Sequence, residues 1–350
     1  MGSVKDLVVL KEPAATETGT GRFIFSDRYS IFDWGEMPDH IMEKGKAICL
    51  VSAYFFERLG ELGIKTHYLG VVEDGVVKRL SDLQKPSDTM EVKLLRVIKP
   101  KIHGNFYDYS AYQRERGNFL IPLEIIYRNS LPEGSSVFKR LKEGSLQLAD
   151  LGLQQAPKPG QVLQKPILDV STKLEATDRY INWQEARAIS GLDESEIEEI
   201  KRVTLTVNDL ITEEAKRLGL LNEDGKVELG FDGNRALILV DALGTLDECR
   251  FTFEGLPVSK EIARIFYRRT EWCREVEEAK KKDKIFWKAL VKTSPVQLPD
   301  RLANAIAMVY KAYANEITKR RWFNTPSLKE VLEDIKELTT VPGTNLLTYY

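Results

Sequence analysis

Residues 225–250, GKVELGFDGNRALILVDALGTLDECR, place charged side chains inside what is otherwise the pattern of a β-hairpin. Two apolar runs flank the turn sequence FDGN, and the second run stops at Asp241. Because side chains alternate between the two faces of a strand, Lys226 and Glu228 share one face with Asp224. The apolar residues between them form the packing face. The charged face must therefore meet water, an ion-pair partner or a ligand.

Two interpretations of this charged face are open from spacing alone. The first is an ordinary amphipathic hairpin whose polar face lies in solvent. The second is a Mg²⁺–phosphate site, because Mg²⁺ takes oxygen ligands and needs only one or two carboxylates besides substrate phosphates. A lysine among the carboxylates would supply a point charge to a phosphate oxygen.

Composition narrows the class of partner. The 350 residues carry a net charge of −2, which argues against a broad basic surface for nucleic acid or anionic lipid. No apolar stretch reaches the roughly 18 residues needed to span a bilayer, and the N-terminus lacks the pattern of a signal peptide. Cys49, Cys249 and Cys273 form no CxxC pair, which predicts reduced thiols in a cytoplasmic protein without a zinc site. Small-molecule substrates are the expected partners, and a homo-oligomer is left open.

The pattern of elements predicts a strand-rich first third and a helical last third. One marked helix is predicted over 40–60. The Pro-, Gly- and Gln-bearing segment 141–170 predicts a connection between elements. Asp193, with a glutamate three residues later, predicts a capping box at the start of a long helix. Residues 259–350 predict mostly helix, and the charged stretch EVEEAKKKDK within them predicts a solvated helix face or loop.

Two further segments carry candidate binding residues. SDRYSIFDWGEMPDH is too dense in Ser, Asp and Arg alternating with aromatic residues for a routine turn. IPLEIIYRNSLPEGSSVFKR ends an apolar strand at Arg128 and then gives a Gly-Ser-Ser turn. Backbone amides in such a turn, beside an arginine, could hold a phosphate or a carboxylate. The alternative for Arg128 is a surface ion pair.

Taken together, these segments resemble the SAICAR synthetase (phosphoribosylaminoimidazole-succinocarboxamide synthase) family. The resemblance rests on SDRYSIFDWGEMPD, KGKA, IPLEIIYRNSLPEGS, STKLEATD, GKVELGF and LVDALGTLDECRF, which occur in the order of the family over about residues 20–255. It implies an α+β, two-lobed fold with a kinase-like, β-rich N-terminal lobe over 1–125. A larger mixed C-terminal lobe over 126–350 would carry metal and substrate residues, with ATP in the cleft between the lobes.

The resemblance also implies a reaction of purine biosynthesis. ATP, a carboxyaminoimidazole ribonucleotide and L-aspartate give the succinocarboxamide ribonucleotide, ADP and phosphate. Phosphorylation of the substrate carboxylate would give an acyl phosphate, from which the aspartate amine displaces phosphate. Such phosphoryl transfer needs charge neutralisation and positioning more than a dedicated base.

Site residues are implied position by position. The catalytic positions are Lys226 and Asp241, and the Mg²⁺ positions are Glu228 and Asp241. The predicted ATP-binding residues are Gly19, Gly21, Arg22, Pro122, Glu124, Glu228 and Asp241. The predicted substrate-binding residues are Ser30, Asp33, Arg128, Ser135, Ser136, Lys173, Asp178 and Arg250.

The chain departs from the family near its N-terminus. The family commonly opens with a short glycine–lysine loop, whereas the region taken to correspond here reads KEPAATETGTGR. We expect Gly19 and Gly21 to bring backbone amides to the phosphates, and Arg22 to stand in for a lysine.

The sequence leaves two rival functions open. One is another ATP-dependent phosphotransferase with a kinase-like lobe, although the chain contains neither an HRD-type loop nor DFG. The other is a non-catalytic nucleotide sensor, which would not need a metal site and substrate arginines together.

Overall fold

Two large antiparallel sheets, a separate two-stranded hairpin and eight α-helices form the framework of the computed structural model, which describes residues 4–104, 106–283 and 286–340. The first sheet has five strands in the order β1-β2-β5-β3-β4. Its strands are β1 (Lys5–Lys11), β2 (Gly19–Phe25), β3 (Tyr68–Glu73), β4 (Val76–Lys78) and β5 (Thr89–Leu94). A two-stranded hairpin, β6 (Lys101–His103) and β7 (Phe106–Asp108), follows it in the chain.

The second sheet has seven strands in the order β10-β9-β8-β11-β13-β14, and β12 pairs with one part of β11. Its strands are β8 (Phe119–Leu131), β9 (Gln161–Thr172), β10 (Tyr180–Ile181), β11 (Leu221–Phe231), β12 (Leu237–Val240), β13 (Cys249–Phe253) and β14 (Leu256–Pro257). Because β8 and β11 lie at its centre, the charged face of β11 lies in the middle of the sheet and not at an edge.

Helices cover both sheets. They are α1 (Lys44–Glu61), α2 (Ser136–Glu143), α3 (Trp183–Ser190), α4 (Glu194–Arg217), α5 (Glu261–Tyr267), α6 (Glu271–Lys282), α7 (Asp300–Thr318) and α8 (Leu328–Thr340). None of the helices described in these ranges is both long and apolar enough to cross a membrane.

Several local predictions are confirmed. The hairpin forms with Glu228 opposite Val240 and Phe231 opposite Leu237. The capping box at Asp193 is present, since its side chain accepts from the backbone of Glu196 while the Glu196 side chain accepts in return. The mixture of antiparallel sheets and helices confirms the predicted α+β class.

The segment predicted as a connection, 141–170, is only partly one. Residues 161–170 belong to β9, which pairs with β8 along most of its length. The first half of β9 is largely exposed, so it lacks the apolar alternation that identifies a half-buried strand.

The proline inside the central strand β8 has a structural explanation. Pro122 cannot donate to a ladder hydrogen bond, and the register between β8 and β11 shifts between the pairs Glu228–Glu124 and Gly230–Leu120, around this residue. Its carbonyl oxygen accepts from the backbone N–H of Lys173 at 2.9 Å. The predicted lobe boundary at residue 125 falls inside β8, all of which belongs to the second sheet, and the residue at which the chain passes from one lobe to the other stays a prediction.

Candidate active site

The charged face of β11 meets β8 and the end of β9 in a cluster of lysines and glutamates. Glu228 lies opposite Glu124 across the two strands, so their carboxylates share one face of the sheet. Nζ of Lys173 lies 2.5 Å from Oε1 of Glu228 and 3.3 Å from Oε1 of Glu124. Nζ of Lys226 lies 2.9 Å from the same oxygen of Glu124. Since Glu228 is only 5% exposed, a solvated polar face is excluded.

Mutual ion pairing keeps this cluster charged. Burial opposes ionisation of Glu124, but Lys226 and Lys173 hold its pKa below the ordinary value. Burial likewise opposes charge on Lys173, but Glu228 and Glu124 raise its pKa. The pKa of Lys226 lies well above its ordinary value because Glu248 and Glu124 outweigh burial. Both lysines and Glu124 are therefore ionised at neutral pH.

A third lysine, Lys5 at the start of β1, forms an ion pair with Asp241. Asp241 directly follows β12, one residue beyond the partner of Glu228. Its backbone is left-handed, with φ of 70°, a conformation that is costly for a residue with a side chain. The ring of His67 donates through Nε2 to the carbonyl oxygen of Asp241 at 3.1 Å and helps to hold this conformation. Burial lowers the pKa of Lys5 to about 8, although Glu228 opposes the shift.

An apolar surface continues from the charged cluster along the same face of the second sheet. Leu120, Ile238 and Val240 form a small buried cluster apart from the main core, with Leu95 packed against it. Gly230 lies opposite both Ile238 and Leu120. A Cβ at this position would collide with the Leu95 side chain, so only glycine leaves the surface intact.

On the first sheet, apolar side chains flank Lys5 on the same face. Leu7 and Val9 follow Lys5 at every second position of β1, on the same face, and are 50% and 42% exposed. The Lys5–Asp241 ion pair therefore joins the start of the first sheet to the end of β12 in the second, with apolar residues near it on both sheets. We call this region between the two sheets the cleft.

A second charged cluster surrounds Arg128, which is 2% exposed. Its Nη2 donates to Asp169 at 3.0 Å and to the Ser136 hydroxyl at 3.3 Å, and its Nη1 donates to Asp224 at 3.2 Å. Asp224 also accepts from Nε of Arg250 at 2.7 Å. Arg128 is thus an internal ion-pair centre, and the surface ion pair considered for it from the sequence is excluded.

Two other arginines of this cluster, Arg250 and Arg140, are more exposed than Arg128. The side chain of Arg250 is 26% exposed, and that of Arg140 is 11% exposed, with its Nη1 2.6 Å from Asp169. Ser135 caps α2 by accepting from the backbone N–H of Val137 at 3.4 Å and is buried. The cluster therefore offers guanidinium groups at its rim around a buried core.

Three of the residues predicted to bind substrate are half-buried or exposed. Ser30 is half-buried in the loop between β2 and α1. Asp33, in the same loop, is 69% exposed and lies 2.7 Å from Nζ of Lys280. Asp178 has an exposed surface, yet partial burial, followed by the charge of Glu124, raises its pKa to about 6. The charges of Lys226 and Lys173 also act on the pKa of this carboxylate.

The two glycines and the arginine predicted to contact phosphate all lie in β2. A Cβ at Gly19 or Gly21 would collide with the backbone of β1, so both glycines are explained by strand packing. Nε of Arg22 lies 3.0 Å from Oε2 of Glu91. The register between β1 and β2 puts Arg22 on the opposite face of the first sheet from Lys5. A phosphate role for Gly19, Gly21 and Arg22 stays a prediction. The contacts described here do not support it, and the cation beside Asp241 is Lys5.

The carboxylates fit Mg²⁺ only in combination with a ligand. Across the described ranges there is no group of three or more His, Cys, Asp or Glu side chains that could hold a metal ion. Glu228 and Asp241 offer oxygen ligands from neighbouring strands, and each is neutralised by a lysine. Because Mg²⁺ bound to substrate phosphates needs only one or two carboxylates, this donor set fits a metal–phosphate complex.

Lys5 and Glu248 are the members of the site that the sequence patterns missed. Lys5 lies in an unremarkable strand, and its partner is far away in the chain. Glu248 lies 3.4 Å from Nζ of Lys226. The only signal available for Glu248 was its place in the stretch LVDALGTLDECRF, which contributed to the family resemblance.

The fold and the cluster define a class: an α+β enzyme whose cleft gathers lysines and carboxylates for phosphate chemistry. The model of the SAICAR synthetase family matches residues 10–283, and the chain belongs to this family. A protein of Archaeoglobus fulgidus with the provisional name phosphoribosylaminoimidazole-succinocarboxamide synthase is 52% identical over 97% of this chain and 99% of its own length. Family membership confirms the predicted class of function, an ATP-dependent ligase of purine biosynthesis that forms SAICAR.

Solved structures share the fold. The SAICAR-synthase from Saccharomyces cerevisiae complexed with SAICAR has a TM-score of 0.61 and 23% identity, over 92% of this chain and 94% of that chain. A SAICAR synthetase (Type-2) in complex with ADP has a TM-score of 0.55 and 22% identity, over 85% of this chain and 99% of that chain. At these identities the likeness concerns the fold alone.

Proposed function

We propose that the lysine–carboxylate cluster is where this chain uses ATP to join L-aspartate to the carboxylate of the imidazole ribonucleotide. The observation that carries the proposal is the pairing of Lys173 with Glu228 and of Lys5 with Asp241 at one end of an apolar cleft. Alternating fixed charges of this kind suit a triphosphate and its metal ion. A related structure holds ADP, which agrees with nucleotide binding at this fold.

The nucleotide is proposed to lie along the cleft. The base would rest against the apolar surface of Leu120, Ile238 and Val240, with Leu7 and Val9 of β1 opposite it. The predicted contact at Pro122 agrees with this placement, whereas Glu124 lies beside the lysines and is assigned to the phosphate end.

Lys5 and Lys226 would face the phosphates at the charged end of the cleft. Glu228 and Asp241 would hold Mg²⁺, which when bound neutralises the charge of the triphosphate and fixes its orientation. Lys173 would then be released from part of its pairing with Glu228 and become available to a second anion.

Amide formation proceeds in two steps. An oxygen of the substrate carboxylate attacks the γ-phosphorus of ATP, and the bond to ADP breaks, which leaves an acyl phosphate. The nitrogen of L-aspartate then attacks the acyl carbon, phosphate departs, and the amine proton is released. Lys173 and Lys226 would stabilise the charge on the transferring group. Water must be excluded while the acyl phosphate exists, so closure of the cleft is expected.

The imidazole ribonucleotide is proposed to lie between the two charged clusters. Arg250 and the turn at Ser135–Ser136 would hold its phosphate, with buried Arg128 supporting them. Ser30, Asp33 and Asp178 would border the imidazole and the incoming amine. We also propose a cytoplasmic setting, because the three cysteines are free thiols.

Omission of each co-substrate tests this function against its rivals. The purified chain is incubated with ATP and Mg²⁺, and ADP release is followed with the imidazole ribonucleotide or L-aspartate left out in turn. Release that requires both co-substrates supports the ligase. Release with another acceptor would indicate a different phosphotransferase, and nucleotide binding without turnover would indicate a sensor.

A further inference from the structure

The loop between β2 and α1 contains a strained turn at the rim of the cleft. Phe32 and Asp33 are consecutive and both left-handed, with φ of 53° and 59°. Neither is a glycine, and two adjacent residues in this region are unfavourable for side chains with a Cβ. Such a turn persists only where surrounding contacts hold it.

Lys280, in the last turn of α6, supplies the polar contacts. Its Nζ donates to the carbonyl oxygen of Phe32 at 2.9 Å and lies 2.7 Å from Oδ2 of Asp33. One ammonium group thus binds the backbone of the first strained residue and the side chain of the second. The same ammonium lies 4.7 Å from the ring centroid of Trp287, which limits its freedom.

Aromatic contacts fix α6 against the turn. The ring of Trp34 lies 5.4 Å from that of Trp272, which is buried in α6, and 6.1 Å from that of Trp287. The ring of Phe32 lies 6.2 Å from that of Trp272. The turn therefore has a rigid apolar base, and Lys280 is the charged contact at its open side.

The turn lies within electrostatic range of the central lysine–glutamate cluster. The charge of Asp33 acts on Asp178, which in turn feels Glu124, Lys226 and Lys173 of the central cluster. Asp33 is 69% exposed despite its pairing with Lys280, so its carboxylate remains available to a ligand.

We infer that Lys280 is a positioning residue, which holds the Phe32–Asp33 turn so that Asp33 stands at the substrate end of the cleft. The inference rests on the proposed function, in which Asp33 borders the imidazole ribonucleotide. Lys280 belongs to EVEEAKKKDK, the charged stretch for which the sequence predicts a solvated helix face or loop. This one lysine would then have a role at the site. Without Lys280, the turn would lose the donor for its carbonyl and its carboxylate and would relax.

Lys280→Met tests the inference, with Lys281→Met as the matched control. Lys281 belongs to the same helix and is exposed. In K280M we expect the KM for the imidazole ribonucleotide to rise about tenfold, because a displaced contact weakens positioning. The KM for ATP and the thermal midpoint should match those of K281M, and Lys280→Arg should restore most of the affinity.

A double-mutant cycle separates positioning from a general structural role. If Lys280 acts through Asp33, the effect of K280M should shrink to less than about twofold in an Asp33→Asn background. An equal effect in both backgrounds, or K280M kinetics equal to those of K281M, would overturn the inference.

Amide hydrogen exchange tests the role of Lys280 without a measurement of turnover. Amides of residues 30–36 should exchange faster in K280M than in K281M, and equal exchange would contradict the inference. If the wild-type chain formed no SAICAR while this difference in exchange appeared, the proposed function would fail and the role of Lys280 in holding the turn would stand.

Discussion

Nζ of Lys173 lies 2.5 Å from Oε1 of Glu228, although Glu228 belongs to β11 and Lys173 lies at the end of β9, on the other side of β8. Lys173 directly follows β9, and its backbone N–H donates to the carbonyl oxygen of Pro122 at 2.9 Å. The bulge around Pro122 therefore directs the end of β9 toward the face that carries Glu228. An irregularity in the central strand thus supports the geometry of the site.

Replacing Lys173 should impair turnover without unfolding the chain. In Lys173→Met, Glu228 and Glu124 lose a shared cation, and the transferring phosphoryl group loses a stabilising charge. We expect kcat to fall by about 10²- to 10³-fold, as for other lost electrostatic contacts in an active site. Lys165→Met, on the exposed part of β9, is the control and should keep normal turnover. Steady-state kinetics on both variants check this, and similar kcat values would refute the role of Lys173.

Removing the buried guanidinium of Arg128 should destabilise the fold. Arg128→Met would remove the partner that Asp169 and Asp224 share. Because Arg140 and Arg250 still pair with these carboxylates, we expect a cost below about 3–5 kcal/mol, the cost of an uncompensated buried charge. Urea unfolding measures the change in the free energy of unfolding. Exposed Arg187→Met should change it by less than about 0.5 kcal/mol. Equal stability of the two variants would show that the Arg128 cluster contributes little to folding.

His67 should make the fold sensitive to mild acid. Burial lowers its pKa to about 3, from an ordinary value of 6.5. Between these values the unfolded state binds more protons than the folded state, so this stabilisation is present above pH 6.5 and is lost as pH falls toward 3. The expected slope is about 1.4 kcal/mol per pH unit from this group.

His67→Phe should show a shallower dependence of unfolding free energy on pH over that window. The control is His40→Gln, because the His40 side chain is 57% exposed. Parallel pH profiles for the wild-type chain and His67→Phe would mean that His67 is not the titrating group.

Local patterns predicted the elements on which the site is built. The hairpin over 225–240, the capping box at Asp193 and the charged face bearing Glu228 follow from alternation and turn chemistry, which act over a few residues. The family resemblance predicted Lys173 and Asp178 as site residues. Lys173 pairs with Glu228, and the charge of Glu124 acts on Asp178.

Contacts between distant residues could not be predicted in this way. Lys5 and Asp241 meet because β1 and β12 belong to sheets that form one cleft, and no local pattern encodes that meeting. Arg22 is predicted as the phosphate cation because it follows Gly19 and Gly21, and nothing in the sequence points to Lys5. The run of charged residues around Lys280 predicts a solvated surface. Such a run does not reveal which of its lysines reaches Asp33.

Metal binding in the presence of nucleotide tests the central claim most directly. Mn²⁺, as a spectroscopic substitute for Mg²⁺, is titrated by electron paramagnetic resonance into each protein with a non-hydrolysable ATP analogue. Glu228→Gln and Asp241→Asn should each bind Mn²⁺ at least about tenfold more weakly than the wild-type chain, and Asp241→Asn should lose about 10²-fold or more in turnover. Exposed Asp209→Asn should behave as wild type. Wild-type Mn²⁺ affinity in both site variants would contradict the account.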